Sequence, residues 1–288
     1  RGSELFERIT RLPEYYLTDA EIAILRGAVR HWIEGAVPRT LVELGAGSAR
    51  KTRILLDAMT DGGREGTYLP VDLSADYLES TARRLRQEHP TLDVIPVVAD
   101  LTRGIELEGP LRPPALFALL GSTVGNFAPP EDRALLRRIA ALAAPGDAFL
   151  LGADLRPGPG KSLDRLVRAY DDSQGVTAAF NRNVLHVLNR FLCTTFEPHA
   201  FRHRIVYDDE RHRIEMHLVA QRDQGTELPD GTPVRIEAGE SIRTEVSCKY
   251  DRGAVAELLE ATGFTLEEWW TDPEGIYAVA LGRREGRG

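Results

Sequence analysis

Apolar residues recur along this 288-residue chain with two periods, and the alternation between them predicts an architecture. Strand-length apolar runs occupy Thr40-Leu-Val-Glu-Leu44, Thr67-Tyr-Leu-Pro-Val71, Leu92-Asp-Val-Ile-Pro-Val-Val-Ala99, Ala115-Leu-Phe-Ala-Leu-Leu120 and Phe149-Leu-Leu-Gly-Ala-Asp154. Helical spacing marks Lys51–Met59, Ala75–Gln87 and Pro130–Ala144, preceded by Ala20–Ile33, for which Thr18 or Asp19 supplies an N-cap. Apolar strands alternating with helices are buried on both faces, so the pattern predicts an α/β chain with a doubly wound sheet and right-handed crossovers.

The rhythm changes at Arg156-Pro-Gly-Pro-Gly-Lys161. Ser162–Tyr170 and Val176–Asn189 then read as helices, and His203–Asp208, Arg213–Gln221 and Val234–Ile236 as antiparallel strands, with Pro229-Asp-Gly-Thr232 turning between the last two. After Glu245-Val-Ser-Cys-Lys-Tyr250 the sheet rhythm returns: a helix over Ala254–Thr262 stopped by Gly263, then strands over Leu266–Thr271 and Ile276–Leu281. We therefore expect residues 1–157 to hold an N-terminal segment and a cofactor-binding domain. Residues 158–247 should form an inserted α+β substrate-binding subdomain, and 248–288 should return to the first domain.

The first strand runs directly into Glu43-Leu-Gly45-Ala-Gly47. Glycines there permit a sharp turn and close approach of a ligand, at the sheet edge where open α/β folds bind ligands, and the helix that follows should offer its first N–H groups. A phosphate-binding P-loop is excluded, because Arg50 stands before Lys51-Thr52 where its second glycine should be. Arg50 also takes the third glycine position of a dinucleotide fingerprint, which weakens a nicotinamide cofactor without removing it. The shortened Glu-x-Gly-x-Gly is similar to that of S-adenosylmethionine-dependent methyltransferases, whose cofactor lacks a pyrophosphate. Asp72, ending the second run, suits the two ribose hydroxyls and equally suits a cap of the helix after Ser74. Asp100 ends the third run, in the position that lies beside an adenine amino group, and Gly121-Ser-Thr-Val-Gly-Asn126 follows the fourth.

Composition narrows the class. With 42% apolar and 28% charged residues and a net charge of −8, the chain reads as a soluble enzyme without the basic face that nucleic acid requires. Cys193 and Cys248 provide neither a disulfide framework nor a zinc set; they read as buried small hydrophobes in a reducing, cytoplasmic protein. His199 and His203 have the spacing of paired zinc ligands but lack the intervening glutamate and a third ligand, so they read as ordinary surface or core histidines. No run reaches transmembrane length and no signal-peptide pattern is present, so neither membrane nor nucleic-acid partners are expected, and a monomer is.

Seven ordered blocks carry a more specific resemblance: Arg1-Gly-Ser-Glu-Leu-Phe6, Ile9-Thr-Arg-Leu-Pro-Glu-Tyr-Tyr16, Glu43-Leu-Gly-Ala-Gly47, Gly121-Ser-Thr-Val-Gly-Asn126, Tyr170-Asp-Asp172, Phe180-Asn-Arg-Asn183 and Thr244-Glu-Val-Ser-Cys-Lys249. Together they resemble the histidine-specific Nα-methyltransferases of ergothioneine biosynthesis. The resemblance implies a Rossmann-like S-adenosylmethionine-dependent methyltransferase fold with an inserted α+β substrate-binding subdomain. It further implies trimethylation of L-histidine to hercynine, with three S-adenosylmethionine molecules becoming S-adenosylhomocysteine. On this pattern Gly45, Gly47, Lys51, Asp72, Asp100 and Leu101 hold the cofactor. Asn126 and Tyr170 anchor the substrate carboxylate, Gly121 lies by its amine, Tyr16, Glu245 and Ser247 read the imidazole, and Met216 is an apolar wall. No metal and no side-chain general base is implied. The family also has a tyrosine upstream of the Arg-Gly-Ser block; because the chain opens at Arg1 without a methionine, we expect its natural N-terminus to be missing. Three alternatives stay open: a methyltransferase of the same fold for another amino acid or an indole amine, a nicotinamide oxidoreductase, and a non-catalytic S-adenosylmethionine-binding protein.

Overall fold

The structure, a computed structural model, describes residues 1–107 and 111–286. They fall into two compact units, one of Arg1–Tyr16 with Pro157–Lys249 and the other of Leu17–Arg156 with Tyr250–Gly288.

The second unit holds strands β1 (Thr40–Leu44), β2 (Gly66–Asp72), β3 (Leu92–Val94), β4 (Val97–Val98), β5 (Ala115–Leu119) and β6 (Ala148–Asp154), closed by β12 (Phe264–Thr271) and β13 (Tyr277–Arg284). Among the described residues they form one eight-stranded sheet in the order β12-β13-β6-β5-β1-β2-β3, with β4 also on β2. β1 is buried along its whole length and pairs in parallel with β2 on one side and β5 on the other. The strand order therefore reverses at β1, and the carboxyl ends beside it form the edge of the crevice. β13 runs antiparallel to both β6 and β12, the terminal hairpin that the sequence predicts; α6 (Glu131–Leu142) precedes β6 and α9 (Arg252–Glu260) precedes β12.

Several boundaries differ from expectation. The third apolar run is two strands, because Pro96 has no N–H for the ladder; Ile95 makes the last bond of the first, to the Tyr68 carbonyl. The helix expected over Ala20–Ile33 starts earlier and is split into α2 (Leu17–Ile24), a π turn (Leu25–Val29) and α3 (Arg30–Ala36). Leu25, Val29 and Ile33 are spaced by four, and the wider winding keeps all three buried where a 3.6-residue period would drift off the core.

The first unit contains α1 (Gly2–Ile9), α7 (Leu163–Arg168) and α8 (Val176–Phe191), with strands β7 (Phe201–Asp208), β8 (Arg213–Ala220), β9 (Gln224–Glu227), β10 (Pro233–Ile236) and β11 (Ser241–Cys248). Its three-stranded sheet runs β11-β8-β7, while β9 and β10 pair separately. The Pro229–Thr232 turn thus joins β10 to β9, a strand whose polar Gln-Gly-Thr-Glu sequence gives no apolar alternation. Arg1–Tyr16, expected with the cofactor domain, groups here instead. The reason is apolar: Leu5, Ile9 and Leu12 pack with Val176 at the start of α8, and Ala179, Phe180 and Tyr15 close round them. Among the described residues no helix is long and apolar enough to cross a membrane.

Candidate functional site

At the carboxyl edge of the sheet unit, Gly45 and Gly47 both have positive φ, 72° and 51°, which L side chains rarely adopt. The turn they make is laced to β2. Gly45 and Ala46 donate to the Val71 carbonyl, and the Gly47 N–H donates to Asp72 Oδ2 at 3.0 Å. Asp72 Oδ1 accepts from the Ser74 N–H at 3.1 Å; Ser74, not Asp72, is the N-cap position of α5 (Ala75–Glu88). The carboxylate is thus fastened beside the glycine turn. The helix after that turn, α4 (Arg53–Thr60), starts later than expected, so the turn's amides are engaged by β2 rather than offered by a helix start.

Asp100 lies just past β4. Its Oδ1 accepts from the Thr102 hydroxyl at 2.6 Å and the Thr102 N–H at 2.8 Å, and these bonds hold its carboxyl below the usual carboxylate range. The Leu101 carbonyl accepts from Arg138 at 3.2 Å. Sequence reasoning missed two exposed apolar neighbours of Asp72: Leu73, which follows it and is 69% exposed, and Val98, which pairs with it across the sheet and is 58% exposed. Glu43, by contrast, is spent on the fold. Buried in the sheet, it accepts from the Thr52 and Tyr68 hydroxyls, and burial pushes its carboxyl up to about 7.

Lys51 reveals a residue the sequence reading overlooked. Its ammonium pairs with Glu21 of α2, whose side chain is 0% exposed. The same carboxylate accepts from the Gly121 N–H at 2.7 Å and the Tyr277 hydroxyl at 2.7 Å. Gly152 makes the space for it; a Cβ there would collide with Glu21 and with the Tyr277 hydroxyl. One buried carboxylate therefore ties together two segments that carry candidate site residues, Lys51 ahead of α4 and Gly121 after β5. Its signal was legible: a glutamate among Leu17, Ala20, Ile24 and Leu25 on the buried face of a helix.

In the other unit, Glu245, Ser247 and Lys249 alternate along and just past β11, so they share one side of the strand. Lys249 is only 2% exposed. Its ammonium donates to the Tyr170 hydroxyl at 2.7 Å and the Ser247 hydroxyl at 2.8 Å, and those hydroxyls are 2.9 Å apart. Met216 of β8 pairs directly with Glu245. Among the described residues the Glu245 carboxylate has no hydrogen-bond partner. Burial pushes it up to about 7, while the Lys249 charge pulls it back down. A desolvated carboxylate next to hydroxyls organised by a cation is equipped to receive a polar donor. Lys249 was missed although the two-residue spacing from Ser247 pointed to it.

The structure thus gathers Tyr170, Ser247, Glu245 and Met216 in one unit. Tyr16 belongs to that unit too, buried, with Lys161 and Arg165 each 5.2 Å from its ring centre. Gly121 and Asn126 belong to the sheet unit. Asn126 is exposed at the end of a short 3-10 turn, and among the described residues its amide makes no hydrogen bond, so it does not serve as a turn cap. His203 is engaged within the protein, Nε2 with the Tyr170 carbonyl and Nδ1 with Asn181, both at 2.9 Å. Cys248 is buried as expected, but Cys193 is exposed, just beyond α8 at positive φ.

Across residues 1–284 the sequence matches the family model described as "Histidine-specific methyltransferase, SAM-dependent". It is similar to a histidine N-alpha-methyltransferase of Mycolicibacterium smegmatis, 43% identical over 285 residues that cover 98% of this chain and 87% of the relative. It is also similar to an ergothioneine biosynthesis protein 1 of Neurospora crassa, 30% identical over 297 residues, covering 98% of this chain and 32% of that longer protein. Among solved structures, an S-adenosylmethionine-dependent methyltransferase of Clostridium acetobutylicum aligns with a TM-score of 0.51 at 11% identity over 93% of each chain, a likeness that shows the fold alone. The chain belongs to the family of histidine-specific, S-adenosylmethionine-dependent methyltransferases.

Proposed function

We propose that this enzyme methylates the α-amine of L-histidine three times, giving the betaine hercynine, a step of ergothioneine biosynthesis. The observation that carries the substrate choice is the polar cluster of Tyr170, Glu245, Ser247 and Lys249, because a half-buried carboxylate without a hydrogen-bond partner among the described residues, on the same strand side as Ser247, matches an imidazole and has nothing to offer an apolar ring.

The sheet unit fits the cofactor. Where a side chain at Gly47 would lie there is open space, and the fastened Asp72 stands beside it. Gly45 and Gly47 would present backbone to the cofactor, Asp72 would accept the ribose hydroxyls, Asp100 and Leu101 would frame the adenine, and Lys51 would meet the methionine carboxylate. Bound there, S-adenosylmethionine supplies an electrophilic methyl group on a sulfonium.

The chain's own residues orient the substrate. On the family pattern Asn126 and Tyr170 would hold its carboxylate, Tyr16, Glu245 and Ser247 would read the imidazole, and Met216 would close the apolar side. The amine reacts in its neutral form, and nearby positive charge favours that form. Its proton leaves to water, with the Gly121 carbonyl available to accept a hydrogen bond from the amine, and no side chain is assigned as general base. The small residues Gly121-Ser-Thr123 leave room as the nitrogen gains methyl groups.

Release of S-adenosylhomocysteine, followed with histidine, phenylalanine and tryptophan in parallel, tests the reading. Rapid release with histidine alone supports it. Equal release with tryptophan would favour an indole-amine enzyme, and none with any amino acid a binding protein.

A further inference from the structure

The Phe180-Asn-Arg-Asn183 block contributes nothing to the site as described, yet Asn181 is 1% exposed, and each polar atom of its amide is engaged. Its Oδ1 accepts from the Thr244 hydroxyl at 2.6 Å. Its Nδ2 donates to the His217 carbonyl at 3.1 Å and to His203 Nδ1 at 2.9 Å. His203 Nε2 lies 2.9 Å from the Tyr170 carbonyl. A carbonyl only accepts, so the proton is on Nε2, and Nδ1 is the acceptor that the Asn181 amide requires. The chain of bonds runs unbroken from the backbone of Tyr170 to the side chain of Thr244.

Thr244 is where the ladder slips. β11 pairs Arg243 with His217 and Glu245 with Met216, leaving Thr244 as an extra, bulged residue. In a regular register Glu245 would oppose Glu215, on the side of β8 where Arg213, His217 and Arg243 already surround that carboxylate. One inserted residue moves Glu245 and Ser247 to the side of Met216 and Ile214.

We propose that Asn181 and His203 are positioning residues for histidine recognition: by holding the bulge at Thr244 and the backbone of Tyr170 together, they set which side of β11 Glu245 and Ser247 face. The device is a register lock rather than a set of ligands. It rests on the reading of Glu245, Ser247 and Tyr170 as substrate contacts.

Two substitutions of one residue separate the lock from ordinary packing. Thr244→Ser keeps the hydroxyl and loses a methyl group; Thr244→Val keeps the shape and loses the hydroxyl. With the lock, Thr244→Ser has a histidine KM within twofold of the parent, whereas Thr244→Val raises it about tenfold or more with kcat changed less than threefold and S-adenosylmethionine affinity unchanged. Asn181→Ala should do the same, and the Asn181→Ala/Thr244→Val double variant should be little worse than either single one. A parental KM for Thr244→Val, or full additivity in the double variant, overturns the proposal. A parent enzyme that does not methylate histidine defeats the functional reading instead, and no variant is needed to see it.

Discussion

Replacing Glu245 with glutamine should stabilise the protein and damage the enzyme. In the free protein burial carries this carboxyl from the usual 4.5 to about 7, even against the pull of Lys249. A carboxyl raised on folding supports the fold in its protonated form: the support is complete below about pH 4.5, is lost as pH rises to about 7, and is absent above. Relative to a group indifferent to folding, the ionised side chain then costs up to about 3 kcal/mol at pH 8. Glutamine has the same shape and no charge to desolvate. Glu245→Gln should therefore raise Tm at pH 8 by roughly 5–10 °C, and change it little at pH 5. Turnover should move the other way. Loss of a charged acceptor to the imidazole removes about 1.5–3 kcal/mol, a fall of roughly 10- to 150-fold in kcat/KM for histidine, and should narrow the gap to phenylalanine and tryptophan. Melting curves at the two pH values and a competition assay with the three amino acids read both effects. A variant no more stable than the parent at pH 8 would show that Glu245 is not a strained carboxylate, and one that still prefers histidine by the parent's margin would show that it is not the imidazole reader.

Asp72→Ala should weaken S-adenosylmethionine binding by about 1.5–3 kcal/mol without touching histidine contacts; calorimetry giving an affinity within twofold of the parent would remove Asp72 from the site. Asn126→Ala should raise the histidine KM steeply, and the parent should use histidinamide poorly; equal turnover of histidine and histidinamide would defeat the carboxylate assignment. Glu21→Leu leaves the Lys51 ammonium, the Gly121 N–H and the Tyr277 hydroxyl without their shared acceptor, which should destabilise the fold by about 3–5 kcal/mol. Adding Lys51→Met should restore part of that loss, and simple additivity in denaturant titrations would mean that the pair is not coupled.

The ligand edge of the sheet was legible because its determinants are local. A positive φ at Gly45 and Gly47 demands glycine, and a strand's end can be read from where an apolar run meets Asp72 or Gly121. Features set by tertiary partners were not. Arg1–Tyr16 is expected with the cofactor domain because it adjoins it in sequence, and only Val176 and Phe180 show where it docks. The bulge at Thr244 is invisible to a count of alternating residues, because the Glu-Val-Ser-Cys pattern fits either register until β8 is beside it. Glu21 and Lys249 were readable in principle as charges at inward positions, but a single chain does not say which donors or acceptors satisfy them. Cys193 went wrong for a related reason: cysteine usually packs inside, and the exposed turn after α8 overrides the preference.

On the proposed reading one enzyme carries the α-amine of histidine through three methyl transfers, and mass spectrometry of a reaction containing only the protein, L-histidine and excess S-adenosylmethionine decides it. The accumulating product should be three methylene increments heavier than histidine and fragment as a quaternary amine with an unmodified ring, with three equivalents of S-adenosylhomocysteine formed. Accumulation of a singly methylated product, methylation on the imidazole, or unchanged histidine would contradict it.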